Sequence, residues 1–78
     1  MDEDKVKLLS VGKAATAAGI STQTLQYYMM VGLIEPTVVS ETGRRMFDLS
    51  IIDKIKLVKK LNESGYPLRA IRELFLKK

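Results

Sequence analysis

The amino-acid sequence predicts a mainly α-helical domain of four helices, with a two-stranded β-hairpin between the second and third. Three observations carry this. Apolar residues recur at helical spacing in four separate segments. Glycine or proline marks most of the boundaries between them. One segment, "TVVSETGRRMF", instead shows short β-type runs on either side of a Glu-Thr-Gly turn. With 78 residues the chain has room for one domain and a thin core.

Each element follows from its own residues. Residues 1–7 read as a flexible lead-in holding Asp2, Glu3 and Asp4, and residues 8–78 as the single domain. Ser10 is placed to cap a helix from Val11 to about Ala18, whose alanines allow close packing. Gly19 supplies a left-handed stop. Ser21 caps a second helix that starts at Thr22. In it Leu25, Tyr28 and Met29 recur at i, i+3, i+4 and are expected to point inward. Gln23, Gln26, Tyr27 and Met30 recur on a separate face. Gly32 ends this helix, and Leu33 and Ile34 return to the core. Two short helices about a Gly-containing turn are a helix-turn-helix signature.

Pro36 to Phe47 is the hairpin, with Gly43 available for positive φ and Arg44 and Arg45 just after the turn. A ribbon of this kind beside a helix-turn-helix is a wing. Asp48 caps a third helix, from about Leu49 to Ser64, that buries Ile51, Ile52, Ile55, Val58 and Leu61. Gly65 stops it, and Pro67 opens a last helix from Leu68 to Leu76. The stripe Leu68, Ile71, Leu74 and Phe75 is expected to be packing; the alternative is that part of it faces a dimer partner. The fold class is therefore a winged helix-turn-helix.

Composition narrows the chemistry. There are 13 basic and 9 acidic residues, a net charge of +4, and three of the acids sit in the lead-in. The body is more basic still, which favours a polyanionic partner over a merely soluble basic domain. There is no cysteine and no histidine. Disulfides, the usual metal and haem ligands, and Ser-His or Cys-His catalysis are excluded. The acids are scattered and no Gly-rich phosphate loop exists, so neither enzyme, cofactor nor metal is expected. No apolar run reaches the roughly 20 residues of a membrane span. The acidic start is the opposite of a signal peptide, and the expected compartment is the cytoplasm.

The candidate site is the polar face of the second helix together with the wing. A Gln amide at position 23 or 26 can offer a donor and an acceptor to adenine N6 and N7; the competing reading is two solvated helix formers. Tyr27 and Tyr28 differ by about 100° around the axis, so they cannot share a role. Tyr28 belongs with Leu25 in the core. Tyr27 belongs with Gln23, its hydroxyl or ring free for phosphate or sugar, or else packs on the wing as a rim residue. Arg44 and Arg45 suit bidentate phosphate contact. One of them is expected to pair with Glu41 or Asp48, leaving Arg44 the freer. Ser21 and Thr22 lie at a helix N-terminus, which favours an anionic oxygen. Lys13 on the first helix and Lys60 on the third complete the set; the third-helix lysines can equally be a solvated face.

These pieces resemble a family. "LLSVGKAATAAGISTQTLQYYMMVGLIEP", then "GRRMFD", then "LVKKLNESGYPLRAIRELF" are similar to the N-terminal DNA-binding domain of MerR-family transcription regulators, including the heat-shock-repressor-like branch. The resemblance covers Leu8 to Phe75. It implies a bacterial regulator with the second helix in the major groove and the wing on the backbone. It also implies a homodimer on a pseudo-palindromic operator, built through a segment after Lys78, and RNA polymerase as a further partner. The chain is then either a domain of a longer regulator or a natural minimal one. It departs from the pattern at Gln26, where the family usually has Arg, and at Met29, where Glu is frequent. Two other functions compete: an excisionase-like architectural or recombination-directionality factor, and a protein-binding adaptor with Met30 on its partner surface.

Overall fold

The computed structural model describes residues 7–76, with side chains to residue 74. The lead-in, except Lys7, and the side chain of Phe75 lie outside the described residues. The element order is β1 (Leu9–Ser10), α1 (Val11–Ala18), α2 (Thr22–Met30), β2 (Val38–Val39), β3 (Arg45–Phe47), α3 (Leu49–Glu63) and α4 (Leu68–Leu76). All four helices stand where the sequence places them.

The caps act as expected. The hydroxyls of Ser10 and Ser21 accept the amides of Lys13 and Thr24, and the Asp48 carboxylate accepts that of Ile51. α2 ends at Gly32, whose φ of +84° lets its own N–H reach the Met29 carbonyl while Leu33 reaches that of Tyr28. That turn directs Leu33 and Ile34 into the core.

The hairpin is present, and a third strand joins it. β3 lies between β1 and β2, antiparallel to both, with Leu9 opposite Phe47 and Val38 opposite Met46. The wing is thus the outer part of a three-stranded sheet rather than a free two-stranded ribbon. Its turn closes by Gly43 N–H to Ser40 C=O at 2.9 Å, with Ser40 N–H to Arg44 C=O at 2.8 Å. Gly43 has φ +86°, as the last residue of a three-residue hairpin loop requires.

The core gathers from every helix and the sheet: Ala14, Ala15 and Ala18 of α1, Leu25 and Tyr28 of α2, Leu33, Ile34, Phe47, Ile52, Ile55, Val58 and Ile71. Burying one such large side chain is worth roughly 1.5–3 kcal/mol relative to exposure. The alanines let α1 sit close between α2 and α3. Met29, Ile51, Leu61 and Leu68 are half-buried against this cluster. Leu74 corrects one expectation: it is 56% exposed. α4 packs on α3 through the side centred on Ile71, and Leu74 lies off that side, beside Tyr66, Ala70 and Glu73.

Candidate nucleic-acid interface

α2 presents its polar face to solvent. Gln23, Gln26, Tyr27 and Met30 are all exposed, while Leu25 and Tyr28 are buried. Tyr28 is 4% exposed and Tyr27 48%, so the adjacent tyrosines do divide as the helix geometry requires. Burial pushes the Tyr28 phenol up from its ordinary range, with the Glu63 charge adding to the effect.

Two grooves run along α2, one on each side of its outward ridge. The first, about 430 Å³, lies between α2 and the wing; Gln26 and Met30 line it with Glu35 and Arg45. Arg45 reaches this side because it shares a strand face with Phe47, whose side chain is buried. The wing is therefore on the same flank as Gln26. The second groove, about 320 Å³, lies between α2 and α4, and its walls are Tyr27, Val31, Leu68, Arg69 and Arg72. Tyr27 shares this groove with α4 and does not line the one beside the wing. Arg72 lies against Gly32: a Cβ on Gly32 would stand 2.9 Å from its Nε.

Arg69 and Arg72 were not among the residues the sequence singled out. Their only signal was a pair of arginines, i and i+3, in the first two turns of the last helix. Nothing in the sequence says that α4 folds back beside α2.

The wing arginines correct a second expectation. Among the described residues neither Arg44 nor Arg45 is in an ion pair. Asp48 is already engaged: its Oδ1 accepts the Ser50 hydroxyl at 2.7 Å and the Ile51 amide at 3.1 Å. Those hydrogen bonds, Ser50 first, hold its carboxyl below the usual range. Both arginines are exposed. The Arg44 amide, not its side chain, is tied down, by Ser40 Oγ at 3.1 Å.

The remaining candidates are less gathered. Thr22 is exposed at the start of α2, but the Ser21 hydroxyl is committed to Thr24, donating to Oγ1 at 2.9 Å and accepting the amide at 3.0 Å. Lys13 is exposed in the first turn of α1. Lys60 lies on α3 in a third cleft, with Thr16, Lys56 and the Lys59–Glu63 pair, and no α2 residue lines that cleft.

Comparison with known proteins agrees with this architecture. Residues 9–78 match the MerR HTH family regulatory protein description. The chain belongs to the MerR family. It is similar to the HTH-type transcriptional regulator YyaN of Bacillus subtilis, 38% identical over 66 residues, which are 85% of this chain and 48% of that protein. It is similar also to the mercuric resistance operon regulatory protein of Bacillus cereus, at 31% identity over 82% of this chain and 48% of that one. The chain spans about half the length of these relatives. Among solved structures it resembles HiNmlR, a MerR family regulator lacking the sensor domain, bound to promoter DNA. That match has TM-score 0.80 and 29% identity, over 87% of this chain and 54% of the other. The four helices and winged sheet are those of a MerR-family helix-turn-helix domain.

Proposed function

We propose that this MerR-family domain reads double-stranded DNA by laying α2 in the major groove, with the wing on one backbone and α4 on the other. One observation carries the proposal. The exposed face of α2, Gln23, Gln26, Tyr27 and Met30, carries no charge, and it is flanked by Arg45, with Glu35, across one groove and by Arg69 and Arg72 across the other. A duplex offers the same profile in reverse: uncharged base edges at the floor of a groove about 12 Å wide, and phosphates on both walls.

Roles follow from the chemistry. Arg44, Arg45, Arg69 and Arg72 contact phosphate and supply salt-sensitive affinity. Gln23 and Gln26 present amides to adenine. The Tyr27 hydroxyl donates to phosphate beside α4. Ser21, its hydroxyl spent on the cap, fixes the N-terminus of α2, so the Thr22 hydroxyl and the first amides of the helix meet the backbone. Lys13 and Lys60 extend the basic surface over α1 and α3 and make peripheral contacts. Two copies on a pseudo-palindromic promoter site, and RNA polymerase recruited there in the bacterial cytoplasm, belong to the same proposal.

The test is selection of bound duplexes from a random pool at moderate salt. The expected result is one enriched motif in two related half-sites, spaced by about 10 base pairs or a multiple. Equal binding of selected and scrambled duplexes would falsify the base-reading part.

A further inference from the structure

We infer that Met30 reads the C5-methyl group of a thymine, close to the adenine that Gln26 contacts. The inference rests on the placement of α2 proposed above and assigns a base to a residue that no amide chemistry covers. Met30 is 77% exposed, the most exposed of the large apolar side chains among the described residues. A single exposed apolar residue is ordinary on a protein surface; its position here is not. It stands two turns beyond Gln23 on the crest of α2 and one turn beyond Gln26 on the wing side. The groove it lines is mixed: Met29 and Pro36 are apolar neighbours, and Gln26, Glu35 and Arg45 are polar ones, so Met30 is the exposed apolar group on a face otherwise suited to hydrogen bonding.

The chemistry selects the ligand. A thioether has no N–H or O–H to donate and accepts only weakly, so it cannot read the hydrogen-bonding code of the major groove. It can fill space against the one apolar group displayed there, the thymine methyl. Side chains one helical turn apart sit about 5–6 Å apart, and base pairs stack at about 3.4 Å. The thymine therefore lies one to two base pairs from the adenine.

The experiment replaces each thymine of the selected site with deoxyuridine, one at a time. This removes the methyl and keeps every hydrogen bond. Binding of the full chain is measured by fluorescence anisotropy at fixed salt. For the unmodified protein, one replacement per half-site should weaken binding about fourfold, the equivalent of one buried methyl. That position should lie within two base pairs of the one whose preference changes in Gln26→Ala. Met30→Ala should bind the thymine and uracil duplexes equally, with an unchanged melting temperature. Indifference of the unmodified protein to every replacement overturns the inference, as does full retention of the methyl preference in Met30→Ala. Enrichment of no sequence at all overturns the base-reading function itself, and is a separate outcome.

Discussion

Gln26 faces the wing groove beside Arg45, and Tyr27, one residue later, faces the α4 groove beside Arg69 and Arg72. A single residue change should therefore separate reading from holding. Gln26→Ala removes a bidentate amide without touching a cation. We expect preference at one base pair to fall by roughly 1–3 kcal/mol while binding to non-cognate duplex stays the same. Competition titrations with single-base-pair variants of the selected site measure both. Uniform loss across all duplexes would instead mean that Gln26 touches the backbone. At this scale much was legible from the sequence. The roughly 100° turn between consecutive residues was enough to bury Tyr28 and expose Tyr27. The partners were not legible: helical spacing says that Tyr27 faces outward, but not that α4 lies beside it. The expected arginine ion pair is likewise absent among the described residues: Asp48 Oδ1 serves Ser50 and Ile51 at the head of α3, and neither it nor Glu41 pairs with Arg44 or Arg45.

Elements owe their ends to single residues, and two of these give measurable effects. Gly32 holds φ +84° at the stop of α2. An L-residue there costs roughly 1–2 kcal/mol, and the added Cβ must also displace the Arg72 side chain. Gly32→Ala should lower unfolding stability by about that amount in a denaturant titration, and should disturb the α2–α4 groove in which Arg72 lies. Asp48 caps α3 with a carboxyl whose folded pKa is depressed. Its contribution is full above the ordinary carboxylate value, near 3.9, and is lost as pH falls toward the lower folded value. Asparagine caps as well without titrating. Asp48→Asn should match the unmodified protein near neutral pH and lose less stability on acidification through that window. Thermal melts at both ends of the range show this; parallel curves would place the acid response elsewhere. The helices were legible because each carries its own cap and period. β1 was not, since two residues have no alternation to read, and Leu9 and Ser10 become a strand only through pairing with Phe47 and Met46. For Leu74 the packing reading fails and the dimer-facing alternative stands, because a helical stripe gives the width of an apolar face, not how much of it a neighbour covers.

At the scale of the whole molecule, charge placement matters more than net charge. Among the described residues two sets of basic side chains are set apart: Arg45, Arg69 and Arg72, which line the grooves flanking α2, and Lys56, Lys59 and Lys60 of α3, which line the cleft beside α1. Both contribute equally to a composition count, but only the first set borders the proposed groove. Salt dependence distinguishes them, because each phosphate contact releases counterions and adds about 0.9 to the slope of log affinity against log salt. Arg45→Ala and Arg69→Ala should each lower that slope by nearly one unit, on opposite sides of the helix, and the double substitution should lower it by nearly two. Lys56→Ala, which removes the same unit charge from the α3 cleft, should leave the slope unchanged. If all three substitutions reduce the slope alike, the molecule attracts DNA as a diffuse cation and the two-walled fit around α2 is wrong. If only the wing substitution counts, α4 is a structural support and the second wall of the groove lies elsewhere.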